Sequence, residues 1–180
     1  MNKFKFVGLG AIGTHIALCL CYTELCKELE VYDFDVVSKK DIDIYPFYKG
    51  MEGEKKVAAF RSYMLKSYPD VSLRSHPYRF PEKDIREDGW IVIDSRDTKT
   101  LKSDFDFRVS FDGGRLMLDA RSKEDIPSNF YTHSSYLSEK NVNALILAAA
   151  NCCEYIERRL FDKKDPTIYR VFQGSVFKRR

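Results

Sequence analysis

The chain has 180 residues, is 44% hydrophobic and 32% charged, and carries a formal net charge of +3. This length suits a single domain, 1–180, with a substantial core, and so small a charge offers no footprint for nucleic acid. No apolar run approaches the length of a membrane span.

Five cysteines with no C-x-x-C pair favour reduced thiols in a cytoplasmic protein over zinc or disulfides. The N-terminus enters a strand almost at once, and no stretch there reads as a signal or transit peptide.

Lys3 to Gly8 reads as a first, apolar strand. Ile12 to Lys27 reads as a helix, with Ile16, Leu18, Leu20 and Leu25 on its apolar faces. Between them Gly8, Gly10 and Gly13 stand in G-x-G-x-x-G spacing. The first glycine permits a tight turn, the second lets backbone approach a phosphate, and the third lets helix pack close to strand. The helix N-terminus adds unpaired N–H groups and a positive dipole end. His15, in the first turn, is expected on the surface. Leu29 to Asp33 is a second strand, and Asp33 can accept hydrogen bonds from ribose hydroxyls.

Phe34 to Gly53 is a long irregular connection, of the kind that often carries function. A helix opening at Gly53-Glu54-Lys55-Lys56 runs to Tyr68, with Val57, Phe60, Met64 and Leu65 at helical spacing. Val71 to Phe80 reads as a third strand, and Pro81 to Gly89 as a polar stretch with one helical turn. Trp90 to Asp94 is a near-continuous apolar strand, suited to burial on both faces.

Phe107 to Phe111 and Arg115 to Ala120 form a hairpin across Asp112-Gly113-Gly114. Asn141 to Phe161 is an amphipathic helix, and Tyr169 to Phe172 with Val176 to Phe177 suits a final edge strand. This order predicts an α/β fold: a Rossmann-like, mostly parallel sheet extended by antiparallel strands, with helices on both faces.

Four motifs occur in order: Gly8-Leu9-Gly10-Ala11-Ile12-Gly13, Asp33-Phe34-Asp35-Val36-Val37, Gly53-Glu54-Lys55-Lys56 and Asp94-Ser95-Arg96-Asp97. Together, over about the first 100 residues, they resemble a short form of the ThiF family, the ubiquitin-activating-type adenylating enzymes (HesA/MoeB/ThiF-like). The D-F-D-x-V element separates the chain from dehydrogenases, which usually show one acid there.

The resemblance implies ATP and magnesium as cofactors. It also implies adenylation of the C-terminal carboxylate of a small ubiquitin-like or sulfur-carrier protein, or of a peptide, commonly by a homodimer. Carried over by position, Gly8, Gly10, Ala11, Ile12 and Gly13 would line the nucleotide, Asp33 would hold its ribose, and Asp35 would belong to the same nucleotide site. Lys56 would reach the phosphates and Asp97 would hold magnesium. Attack of a carboxylate on the α-phosphate needs what these residues offer: positive charge, a metal and alignment.

Two positions depart from the family pattern. Asp41 stands where asparagine is usual, and Ile44 where arginine is usual. Arginines beside transferred phosphates are worth roughly 10³–10⁵ in rate. Arg61, Arg96 and Arg121 are the candidates to replace one. Arg96 and Arg121 follow strand ends at the crevice where open α/β sheets bind ligands.

Cys152 and Cys153 lie mid-helix, so thioester transfer is not expected. Two other readings stay open. One is a relative that binds a nucleotide or a partner without catalysis. The other is an NAD(P)-dependent oxidoreductase, in which Asp35, Lys56 and Asp97 would have no role.

Overall fold

A computed structural model of the chain describes residues 2–45, 48–81, 89–96, 105–112, 115–120, 142–162 and 172–173. Its strands are β1 (Asn2–Val7), β2 (Cys26–Tyr32), β3 (Ser72–His76), β4 (Trp90–Asp94), β5 (Phe107–Asp112), β6 (Arg115–Ala120) and β7 (Phe172–Gln173). They form one sheet in the order β3-β2-β1-β4-β5-β6-β7. From β3 to β5 all neighbours run parallel, and β6 and β7 extend that edge antiparallel. The helices are α1 (Ala11–Tyr22), α2 (Lys39–Ile44), α3 (Lys56–Ser67) and α4 (Val142–Asp162).

This is the expected Rossmann-like sheet with its antiparallel extension. The chain runs outward from β1 through β2 to β3, then returns to place β4 on the other side of β1. The carboxyl ends of β1 and β4 therefore border the switch point, where open α/β sheets form their ligand crevice.

β1 is less uniformly apolar than expected. It reads Lys3-Phe4-Lys5-Phe6, and its alternation assigns the two faces of the sheet. Phe4 and Phe6 pair in register with Leu29 and Val31 of β2, and with Ile91 and Ile93 of β4. These residues share the main core with Ile16 and Leu20 of α1, Phe60 and Met64 of α3, and Leu145 and Ile156 of α4.

The opposite face holds Lys5 and Glu30, both buried, with Nζ 3.1 Å from Oε2. The Tyr32 hydroxyl donates to Glu30 Oε1 at 2.9 Å, and His76 Nε2 lies 2.8 Å from the same oxygen. Lys5 Nζ also sits 5.3 Å from the centre of the Trp90 ring. Unpaired charges in such a position would be costly, and these partners offset that cost.

Three local features differ from expectation. α1 ends at Tyr22 rather than Lys27, because Thr23 caps it and bonds Cys19 O through both N–H and Oγ1. Glu24, with φ 60°, then turns the chain into β2 at Cys26. β3 is confined to Ser72–His76. Finally, the connection 34–53 contains α2, started by a capping box between Ser38 and Asp41.

All five cysteines are unbridged. The helical turn expected within Pro81–Gly89, and the final strand apart from Phe172–Gln173, fall outside the described residues.

Candidate functional site

β1 ends at Val7, and Gly8 leads the chain out of the sheet with φ 97°, a conformation strained for any side chain. A Cβ at Gly8 would also stand 3.1 Å from Arg96 Cγ. The Gly8 N–H donates to Tyr32 O at 2.8 Å. Ser95 ties the loop to β4: its N–H donates to Val7 O at 3.0 Å and its Oγ to Gly8 O at 2.8 Å.

Gly13 lies directly over this joint. A Cβ there would meet Gly8 O at 2.7 Å and Ser95 Cβ at 3.0 Å, with Ser95 Oγ closer still. Only glycine lets α1 approach β1 and β4 so closely. Gly10, the N-cap of α1, is different: nothing lies within 4 Å of where its Cβ would be. No side-chain hydrogen bond caps α1, and its first turn, which includes Ala11 and Ile12, holds no acid. Among the described residues the amino end of the helix thus keeps unpaired N–H groups, and it keeps its positive dipole end.

Asp33 closes the loop from β2. It is 8% exposed; Oδ2 accepts the Leu9 N–H at 2.6 Å and Oδ1 the Asp35 N–H at 2.8 Å. Burial raises its carboxyl pKa, against the pull of these two N–H groups and of Lys56. A carboxylate offers roughly four lone-pair positions, so Asp33 keeps acceptor capacity for hydroxyls.

The connection after Asp35 folds back on itself. Val37 N–H donates to Glu54 O at 2.8 Å, Gly53 N–H to Val37 O at 2.9 Å, and Lys56 N–H to Asp35 O at 3.1 Å. Lys56 consequently opens α3 at a fixed place, 9% exposed. Its Nζ lies 3.1 Å from Asp41 Oδ1 and 3.8 Å from Asp35 Oδ2. The other oxygen of Asp41 accepts Ser38 N–H and Oγ at 2.8 and 2.6 Å. The capping box of α2 therefore presents Asp41 to Lys56.

Beyond α2 the buried Tyr45 returns to α1, its hydroxyl within hydrogen-bonding reach of the Gly10 and Ala11 carbonyls. Tyr45 also packs on His15, ring centres 4.9 Å apart. His15 is thus half-buried rather than a surface residue, and burial lowers its pKa. Ile44 packs against the main core.

Across the switch point β4 ends at Asp94, 1% exposed. Arg96 folds back onto it: backbone N–H and Nε each lie 3.1 Å from Oδ1, and Nη2 lies 3.1 Å from Oδ2. Arg108 of β5, also 1% exposed, places Nη2 3.7 Å from Oδ2. Its guanidinium carbon lies 4.1 Å from the centre of the Phe105 ring.

The fold thus gathers Gly8, Gly10, Ala11, Ile12, Gly13, Asp33, Asp35 and Lys56 around one hydrogen-bonded unit. Arg96 lies beside Gly8 but is held by Asp94. Asp97 and Arg121 fall outside the described residues. Tyr45 and Arg108 were not expected as contributors, and Asp41, Asp94 and Ser95, which stand within the motif positions, had been given no role of their own. A charge inside the apolar strand Phe107-Arg108-Val109 is the one pattern that could have marked Arg108.

Among the described residues no three His, Cys, Asp or Glu side chains gather as a metal cage. No described helix is long and apolar enough to cross a membrane.

Solved structures share this architecture. Escherichia coli MccB crystallised with MccA-N7isoASN superposes with a TM-score of 0.68 at 13% identity, covering 96% of this chain and 64% of that chain. Selenomethionine PaaA gives a TM-score of 0.68 at 14% identity, covering 99% and 65%. E. coli MccB with ATP gives 0.65 at 15% identity, covering 92% and 57%. The chain therefore spans less than two thirds of the length of these structures, and at such identities the likeness shows the fold. No family model and no curated protein matches the chain.

Proposed function

We propose that the chain is a single ThiF-like domain that binds ATP at the glycine loop. There it adenylates the C-terminal carboxylate of a peptide or of a small ubiquitin-like or sulfur-carrier protein. The observation that carries this reading is the open, uncapped amino end of α1 at Gly10, with Asp33 fastened beside it through Leu9. Such a helix end suits a phosphate, and such an acid suits a ribose.

Lys56 then serves the outer phosphates, exchanging its contact with Asp41 for them. Magnesium fits the donors present: the exposed carboxylate of Asp35 is a hard oxygen ligand of the kind this ion takes alongside phosphates. Asp97 is the further ligand that the ThiF resemblance implies. Bound magnesium would offset phosphate charge in a site where Asp33, Asp35, Asp41 and Asp94 face Lys56, Arg96 and Arg108.

Further support comes from MccB, which has been crystallised with ATP, with AMPCPP plus MccA, and with N-formylated MccA. These favour a peptide among the acceptors considered. Homodimer formation and a cytoplasmic location complete the proposal.

A second reading, nucleotide binding without adenylation, is favoured by one observation. Ile44, at the position of the usual arginine, is partly buried against the core, and Asp41 neutralises Lys56. ATP–pyrophosphate exchange in the presence of magnesium and free-carboxylate peptides or carrier proteins separates the two. Exchange supports adenylation. ATP binding that Asp33→Ala abolishes, with no exchange, supports the second reading. NADH binding with no ATP binding refutes both.

A further inference from the structure

Arg96 stands between two demands. Its stem runs past Gly8, so its guanidinium has the glycine loop within reach, yet the guanidinium is committed to Asp94. Asp94 is almost fully buried, and a buried carboxylate left without its cation is strongly destabilising. With Arg96 as its sole partner, Asp94 would never release it.

The fold supplies a second cation. Arg108 lies 3.7 Å from the same Oδ2 that Arg96 holds, is itself 1% exposed, and is seated against Phe105. The two arginines differ in access: the Arg96 side chain is 20% exposed, whereas that of Arg108 is 1% exposed.

We propose that Arg108 is a positioning residue that keeps Asp94 compensated, so that Arg96 can exchange Asp94 for the anionic end of a bound nucleotide. The proposal rests on the nucleotide-binding reading above. The backbone N–H of Arg96 stays on Oδ1 through the exchange, so Asp94 retains both a hydrogen bond and a cation when the side chain turns. In the exchanged state Arg96 provides the guanidinium that Ile44 cannot. The arrangement also explains a buried charge in β5, where an apolar residue would pack at lower desolvation cost.

The test measures ATP binding by calorimetry on the full chain with magnesium, using adenosine as the phosphate-free control. Arg96→Gln should weaken ATP by about tenfold or more, the scale of a lost charged hydrogen bond, and leave adenosine unchanged. Arg108→Met should weaken ATP by a similar factor without touching adenosine, and Arg108→Lys should restore most of it. The Arg96→Gln/Arg108→Met double variant should bind ATP no worse than Arg96→Gln alone, because Arg108 acts only through Arg96.

If Arg108→Met does not fold, Asp94→Asn/Arg108→Met removes both buried charges, and its ATP affinity should equal or exceed the native one. Three results would overturn the proposal alone: a folded Arg108→Met that binds ATP like the native chain, a loss additive with Arg96→Gln, or a loss shared by adenosine. A native chain that binds neither ATP nor adenosine overturns the nucleotide reading, and this proposal with it.

Discussion

Replacing Gly13 with alanine tests the joint between α1 and the sheet. The new methyl group would stand 2.7 Å from the Gly8 carbonyl oxygen and 3.0 Å from Ser95 Cβ, and nearer still to Ser95 Oγ. The carbonyl belongs to backbone held at both ends, since Gly8 N–H is bonded to Tyr32 O and Gly8 O accepts Ser95 Oγ. Relief must come from displacing α1 or from swinging Ser95 out of its hydrogen bond. Overpacking of this kind costs about 1–3 kcal/mol, and a lost hydroxyl bond about 1 kcal/mol. Alanine returns up to about 1 kcal/mol through helix propensity.

The net is a loss of about 2 kcal/mol, or a Tm lower by about 4–8 °C for a domain of this size. Thermal unfolding followed by circular dichroism measures it. Gly10→Ala is the internal control: the site has φ −68° and open space, so its Tm should hold while ATP affinity falls. Adding Ser95→Ala to Gly13→Ala should cost less than the sum of the two single changes, because the nearest of the three close atoms, Ser95 Oγ, is gone. A Gly13→Ala protein that melts at or above the native temperature would show that α1 does not need glycine at this joint.

Other expectations concern the rest of the frame. Glu30→Leu leaves Lys5 buried without its carboxylate and should cost about 3–5 kcal/mol in urea unfolding, much of it recovered by Lys5→Met/Glu30→Leu. Tyr45→Phe deletes the hydroxyl that meets the Gly10 and Ala11 carbonyls and should cost about 1–2 kcal/mol in the same assay. Asp33 has a folded pKa raised above its ordinary 3.8 by burial, so between the two values the folded state keeps a proton that the unfolded state has released. Its contribution is fully present below 3.8 and declines as pH rises through the folded value. Asp33→Asn should therefore flatten that part of the stability–pH curve, measured by urea unfolding at a series of pH values.

The glycine turn and β4 are legible in the sequence because each is written in local terms. Gly8, Gly10 and Gly13 stand in a spacing typical of a strand–turn–helix joint, which demands glycine at Gly8 and Gly13, and Trp90–Asp94 is an apolar run with a sharp end. α2 is hidden because Lys39–Ile44 is short and its capping box uses an aspartate in place of glutamate. The end of α1 is hidden because Leu25 continues the helical spacing, while the turn depends on a glutamate taking positive φ. Asp94 and Arg108 meet through the register of β4 against β5, a relation between distant positions that no local pattern displays. Tyr45 reaches His15 across the same kind of gap.

The alternation of β1 has a consequence for how the chain avoids misfolding. Were β1 to pair with β2 one residue out of step, every side chain would change sides. Lys3 and Lys5 would enter the space between the sheet and α1, while Phe4 and Phe6 would leave it to face Glu30 and His76. Two ammonium groups would then be stripped of Glu28 and Glu30 in an apolar layer. A uniformly apolar strand carries no such penalty and can slide. Here the charged face works as a ratchet tooth, and the glycine loop that follows Val7 inherits a fixed starting point from it.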